Sequence, residues 1–361
     1  MKAIIVYPKR RNSAELTQIP EPLLGEDEVL VRVLEVGIDG TDRDIQGGDY
    51  GEPPTGLDYL VMGHEALGTI EKMGERAKSS HLNVGDLVVG TVRRPDGCPN
   101  CLVGEMDMCL WGNYTERGIK GAHGYLSEYY TEKPEFLIPI PRDLAETAVL
   151  LEPLSVVEKA ISQAWRIQKR MHWWPGVALV LGAGPIGILA TLLLRLRGIT
   201  TYVYSRQSSS DDRAGLIRAL GAEYISSEQT DLSQLAKQLG RIDFILEATG
   251  NGAIALHSFG LLGENGVLAL TSISSHQRKL EVCPDCINLN LVLGNRLVFG
   301  SVNSHRRDFE ASVDHIREAQ DRFPGFLNQL ITHKVRLIDY RQALEERPNE
   351  IKTIITVAEN R

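Results

Sequence analysis

The sequence predicts an α/β protein in two parts, a β-rich domain and a doubly wound parallel sheet. Three observations carry that expectation. Up to about residue 150 the apolar runs are short and strand-like. From Pro153 onward helical and strand-like segments alternate. Between two such segments lies a glycine-rich turn, Gly182-Ala183-Gly184-Pro185-Ile186-Gly187. A chain of 361 residues has room for both parts.

In chain order, Val29–Leu34 and Asp86–Val89 read as strands because β-branched residues dominate and Gly or Pro bounds them. Ser155–Arg170 keeps a helical apolar period, and Val177–Leu181 is an uninterrupted apolar run of strand length. Pro185–Arg197 reads as helix, Thr201–Tyr204 as strand and Arg213–Leu220 as helix. Ile242–Leu246 and Val267–Leu270 are two further strands. After Asn303 the alternation stops, and Phe309–Gln320 reads as a surface helix in a tail that returns to the first domain.

Composition excludes several classes. Lys plus Arg is 39 against 47 for Asp plus Glu, a net charge of -8, so the basic excess of a nucleic-acid binder is missing. No apolar run approaches the roughly 20 residues of a membrane helix. MKAIIVYP is followed by Glu15, Glu21 and Glu26, so a signal peptide is not expected. Five cysteines are odd in number and clustered, which argues for metal chemistry in a reducing cytoplasm rather than a disulfide scaffold.

The glycine turn follows the Val177–Leu181 run and opens a Leu-rich helix, the context in which G-x-G-x-x-G binds a dinucleotide. Gly182 permits the tight turn, Gly184 lets a pyrophosphate reach the backbone, and Gly187 lets helix and strand pack closely. Pro185 and Ile186 complete the loop. The next strand ends in Ser205 and Arg206, where an NAD site usually carries Asp or Glu. A hydroxyl and a guanidinium attract a 2′-phosphate that a carboxylate would repel, so NADP is expected over NAD. The other reading of Arg206 is simple stacking on the adenine.

Two groups of residues suggest metal. Asp39, His64 and Glu152 are a carboxylate, an imidazole and a second carboxylate, the donor set of a three-ligand zinc site with one open position. Cys98, Cys101 and Cys109 suggest a structural zinc that needs a fourth ligand; Asp96, Asp107 and Glu116 are the candidates. Cys283-Pro-Asp-Cys286 is another C-x-x-C in an expected loop, read as incidental or at most redox-labile.

Together with Gly37-Ile-Asp-Gly-Thr-Asp42, Met62-Gly-His-Glu65, Val92-Arg-Arg-Pro95 and Glu116-Arg-Gly-Ile119, further stretches carry a resemblance. They are Gly121-Ala-His-Gly124, Leu151-Glu-Pro-Leu154, Glu247-Ala-Thr-Gly-Asn-Gly252 and Phe299-Gly-Ser-Val-Asn303. The chain resembles the zinc-dependent medium-chain alcohol dehydrogenase family along nearly its whole length, most closely its archaeal-type glucose 1-dehydrogenases. The resemblance implies a GroES-like catalytic domain, residues 1–154 and 305–361, around a Rossmann domain, residues 155–304. It carries the catalytic zinc to Asp39, His64 and Glu152, with Glu65 a ligand in some states. Many relatives have Cys at the position of Asp39, and a harder carboxylate donor is expected to hold zinc less tightly.

The resemblance also implies that Thr41 relays a proton and that Thr41, Glu152, Glu116 and Asn303 face the substrate. Asn303 and Thr249 join the cofactor-binding set. The implied reaction is oxidation of the C1 hydroxyl of an aldopyranose, D-glucose or also D-galactose, to the lactone, with hydride passing to NADP or NAD. The implied partners are a sugar substrate and further copies of the chain as dimer or tetramer, with neither nucleic acid nor membrane. The competing readings are a dehydrogenase of another polyol and a non-catalytic nucleotide-binding member, which would lack the ligands at Asp39, His64 and Glu152.

Overall fold

The computed structural model describes residues 1–274 and 279–358. The chain divides into two compact units, residues 1–155 with 303–317 and 327–361, and residues 156–302 with 318–326. Residues 318–326, expected with the returning tail, therefore pack with the second unit.

The first unit is built on a seven-stranded sheet. Its central Val29–Ile38 strand buries Val29, Val31, Val33 and Val36 completely, the alternation expected of a half-covered sheet that turns fully buried toward its end. It pairs antiparallel with Glu65–Met73 on one side and with the C-terminal Lys352–Thr356 strand on the other. Gly37 lies opposite Glu65 and opposite Ile354, so the register places residues from three distant parts of the chain at one end of the sheet. A Cβ on Gly37 would lie 2.1 Å from Glu65 Oε2 and 2.9 Å from Lys352 Cε, so only glycine leaves room for both side chains. The tail returns through the Lys352–Thr356 strand, which adds Ile354 and Ile355 to the buried sheet.

The second unit holds a six-stranded parallel sheet. In spatial order its strands are Glu223–Ser226, Thr200–Ser205, Val177–Leu181, Phe244–Glu247, Val267–Leu270 and Leu297–Gly300. In sequence order this is 3-2-1-4-5-6, the doubly wound arrangement that places a ligand crevice beyond the C-terminal end of strand 1. Leu179, Val180 and Leu181 are fully buried, as a strand covered on both faces requires. Strands Val177–Leu181 and Val267–Leu270 match the expected limits residue for residue. The expected loop at Cys283 is instead the start of the Pro284–Leu293 helix, because Pro284 occupies its first turn and Cys283 caps it. Among the described residues, no helix is long and apolar enough to cross a membrane.

Candidate active site and cysteine cluster

The Val29–Ile38 strand ends directly before Asp39, which caps the Gly40–Gly47 helix. Asp39 accepts the N–H of Asp42, and Asp42 accepts the N–H of Asp39, a reciprocal capping box that fixes both carboxylates. Asp42 also accepts the N–H of Gly63 at 3.2 Å, tying the helix start to the chain just before His64. Thr41 Oγ1 donates to Asp39 Oδ2 at 3.2 Å. His64 lies between two carboxylates, with Nε2 3.6 Å from Asp39 Oδ2 and Nδ1 3.9 Å from Asp42 Oδ2. Donor atoms of Asp39, Asp42 and His64 all lie within 4.8 Å of one another, and so do those of His64, Glu65 and Glu152. His64 joins the two groups.

Three buried carboxylates and a half-buried one around a single imidazole leave this pocket short of positive charge. Burial pushes Glu152 up to about 8, with the charges of Glu65 and Asp39 adding to it. Burial likewise lifts Asp42 to about 7. Burial works against the charged form of His64, but Asp39 raises it well above its ordinary value. Among the described residues, Lys352 is the lysine in the cluster, fully buried and ion-paired with Glu65. A divalent cation fits this donor set. Ligands about 2.0–2.1 Å from a tetrahedral zinc lie roughly 3.4 Å apart, close to the His64–Asp39 spacing and too long for a hydrogen bond between them. Asp39, Thr41, His64, Glu65 and Glu152 therefore converge, and Asp42 and Lys352 join them. The D-x-x-D spacing at Asp39 and Asp42 was a visible signal for the first; Lys352 had none.

Glu116 and Asn303 also meet. Asn303 Nδ2 donates to Glu116 Oε1 at 2.9 Å, and Ser304 N–H donates to Asn303 Oδ1 at 2.8 Å. The same Glu116 oxygen accepts from Arg93 Nε at 3.1 Å and Nη2 at 2.9 Å. Arg93 is paired across the short antiparallel strands with Glu116, donates to the Asp107 carbonyl and lies 3.7 Å from the centre of the Tyr114 ring. One carboxylate oxygen is thus saturated, while Oε2 receives no bond from the described residues. Arg93 was not singled out as a site residue.

The second metal group gains its fourth member. Asp96, Cys98, Cys101 and Cys109 present donors within 4.8 Å of one another, whereas Glu116 is engaged by Arg93 and Asn303. Cys98 and Cys109 sulfurs are 3.9 Å apart, near the roughly 3.8 Å expected of thiolates on a tetrahedral zinc. Backbone N–H groups point at the sulfurs: Cys101 and Leu110 at Cys98, and Gly112 at Cys109. Burial opposes ionisation of Cys98, but the Leu110 and Cys101 N–H groups hold its thiol below the ordinary value. Cys101 is pushed up to about 12 by burial, which outweighs the opposing backbone hydrogen bond from Asp96. This pocket is locally complete, since all four donors come from residues 96–109.

In the second unit, Gly182 has φ +108 and donates to Tyr204 O at 2.9 Å, making the turn that no L side chain adopts readily. A Cβ on Gly187 would meet Gly182 O at 2.0 Å. The Pro185–Leu196 helix has no side-chain cap at Gly184, so its first N–H groups remain for a phosphate. Pro185 and Ile186 form its first turn. Ser205 Oγ donates to Gln207 Oε1 at 2.5 Å, and Arg206 is exposed. Thr249 N–H and Oγ1 both donate to the buried Glu247 carboxylate at the end of its strand.

Fold and site together define a dehydrogenase of the medium-chain type. Residues 25–142 match the alcohol dehydrogenase GroES-like domain, and residues 145–357 match the glucose dehydrogenase C-terminus. The chain belongs to the zinc-dependent medium-chain dehydrogenase family. It is 44% identical to a glucose 1-dehydrogenase of Methanocella arvoryzae, over 99% of both chains. A glucose 1-dehydrogenase of Thermoproteus tenax is 37% identical over 99% of each chain. A solved glucose dehydrogenase from Haloferax mediterranei, in complex with NADP, Zn and gluconolactone, superposes with a TM-score of 0.92, at 36% identity and full coverage of both chains.

Proposed function

We propose that this protein is an NADP-preferring glucose 1-dehydrogenase that oxidises the C1 hydroxyl of D-glucose, and also of D-galactose, to the lactone, with NAD as a poorer acceptor. The balanced reaction converts aldose and NADP⁺ to lactone, NADPH and one proton. The observation that carries the reading is the buried Glu116 carboxylate, in the same unit as the Asp39–His64–Glu152 cluster. One of its oxygens is fixed by Arg93 and Asn303, and the other is left to accept a sugar hydroxyl. Identity to curated glucose 1-dehydrogenases over the full chain supports the same substrate class.

Asp39, His64 and Glu152 would hold zinc, with Glu65 an alternative donor; Cys98, Cys101, Cys109 and Asp96 would hold a second, structural ion. Bound zinc supplies Lewis acidity that lowers the pKa of the C1 hydroxyl, and bound NADP supplies the hydride acceptor. The rest is done by side chains of this chain. Thr41 Oγ1, hydrogen-bonded to Asp39, carries the hydroxyl proton away. Asp42 orients the His64 ring through its Nδ1 side. Lys352 holds Glu65 against the end of the sheet, and Glu65 leaves that pair when it takes part in turnover. Glu116 and Asn303 orient the sugar; Gly182, Gly184, Pro185, Ile186 and Gly187 receive the pyrophosphate; Ser205 and Arg206 select the 2′-phosphate; Thr249 lines the same pocket.

The working domains are residues 1–155 with 303–317 and 327–361, which carry catalysis, and 156–302 with 318–326, which bind nucleotide. The enzyme works as a homo-oligomer, dimer or tetramer, in the cytoplasm. Support for association comes from the Leu297–Gly300 strand at the end of its sheet and from the exposed Leu289, Val292 and Leu293 beside it in sequence. A panel of glucose, galactose, xylose and sorbitol, each with NADP and NAD, tests the function. The highest kcat/KM is expected for glucose with NADP; a higher value for sorbitol would replace the reading with a polyol dehydrogenase.

A further inference from the structure

The five cysteines fall into two chemically different sets. Cys98, Cys101 and Cys109 are free thiols gathered around Asp96. Cys283 and Cys286 are joined as a disulfide across the first turn of the Pro284–Leu293 helix. Both residues of this pair are exposed, as are Glu281, Val282, Pro284 and Asp285 around them. Cys283 caps the helix, and its sulfur accepts the Cys286 N–H at 3.3 Å. An N–H and a helix N-terminus aimed at one sulfur favour its thiolate over that of its partner. A structural disulfide clamps distant segments or a long loop. This one closes a loop within a single helical turn, in a helix with no fully buried residue in the single chain, so it clamps no distant segment.

We propose that Cys283–Cys286 is a thiol–disulfide exchange site that cycles against a dithiol reductant. An incoming thiolate attacks Cys286 Sγ, the S–S bond breaks, and Cys283 leaves with the electron pair as the stabilised thiolate. The second thiol of the reductant then displaces the mixed disulfide at Cys286. The protein gains two thiols with the two protons of the dithiol, and the reductant closes to its own disulfide. A monothiol is disfavoured, because Cys283, three residues from the mixed disulfide, expels it at millimolar effective concentration or above. In the reverse direction Cys286 takes up the oxidised dithiol as the mixed disulfide, and the Cys283 thiolate attacks Cys286 Sγ and expels the dithiol.

The full-length, zinc-loaded protein is equilibrated in graded ratios of reduced and oxidised dithiothreitol, quenched with acid, alkylated and mapped by mass spectrometry. The peptide containing Cys283 and Cys286 is expected to pass from no label to double label in one two-electron transition, while labelling of Cys98, Cys101 and Cys109 stays constant. Glutathione at the same thiol concentration is expected to open on the order of one tenth as much of the pair. With oxidised glutathione, reduced Cys286→Ser is expected to trap glutathione on Cys283, and reduced Cys283→Ser to react roughly tenfold more slowly at Cys286. A pair that stays unlabelled in fully reducing dithiol, or stays reduced in the oxidised buffer, overturns the proposal. Equal opening by glutathione overturns the dithiol assignment. The wild-type titration needs no variant to fold, and it is read independently of sugar oxidation.

Discussion

The cluster around His64 and the cluster around Cys98 both have the size of a metal site, yet they are assembled in opposite ways. The first draws its donors from the end of one strand, the start of its neighbour and a distant helix: Asp39, His64, Glu65 and Glu152. The second takes all four donors from residues 96–109. The first is hard and oxygen-rich, with Glu152 pushed up to about 8 by burial; the second is soft, with N–H groups aimed at its sulfurs. A carboxylate-rich site suits an ion that must exchange ligands during turnover, whereas thiolates suit an ion that stays. The difference teaches that the sheet register builds the first site, while loop spacing alone builds the second.

The largest test of that contrast is removal of the metal itself. Dialysis against a chelator is expected to release the hard-donor ion first and to abolish activity with it. The thiolate ion should leave later, with loss of thermal stability. Metal analysis alongside activity separates the two phases, and full activity in metal-free protein would remove zinc from the reaction. Next in size, Asp39→Ala or His64→Ala is expected to lower kcat/KM by about a thousandfold, ~4 kcal/mol of transition-state stabilisation, measured on the folded fraction. Glu65→Gln shares the assay, and unchanged turnover there would take Glu65 out of the mechanism.

Smaller effects sharpen how the lobe is anchored. Glu132, buried under the lobe's short strands, accepts from Arg94 and from Arg117, which follow Arg93 and Glu116 in sequence. Glu132→Gln is expected to cost about 3 kcal/mol in denaturant unfolding, because it leaves two guanidinium groups short of their partner. Burial tends to raise the Glu132 carboxyl, but Arg94 and Arg117 hold it below its ordinary 4.5. Its contribution is therefore complete above that unfolded value and lost as pH falls through the lowered folded one. The stability gap between wild type and Glu132→Gln should narrow only in acid. Cys101→Ser is expected to cost roughly 2 kcal/mol and to leave activity per folded molecule within about twofold. Finally, Arg206→Ala is expected to raise KM for NADP by about tenfold and to leave KM for NAD unchanged.

Much of the second unit was legible because its signals are contiguous. Val177–Leu181, Val267–Leu270 and the Gly182–Gly187 turn each carry their meaning within a few neighbouring residues. Short, weakly patterned elements such as Glu223–Ser226 and the Pro284–Leu293 helix were not legible, since four residues or an exposed helix give no clear apolar period. In the site, residue types pointed to Asp39, His64 and Glu152, but that Asp96 lies with the three thiols was visible only in the folded loop. Arg93 lies in the Val92–Pro95 stretch, but its pairing with Glu116, like that of Lys352 with Glu65, was silent in the sequence, because a buried ion pair has no local spacing.

By itself the sequence determined which chemistries were on offer: a glycine turn for a pyrophosphate, carboxylates and an imidazole for a hard cation, thiols for a soft one. Tertiary structure alone decided which of them meet. Pairing of Gly37 with both Glu65 and Ile354 brings the next strand and the end of the chain to Asp39, and the missing side chain at Gly37 leaves space for Glu65 and Lys352 to pair there. Backbone hydrogen bonding fixes that register across hundreds of residues, whereas a motif reads only its immediate neighbours.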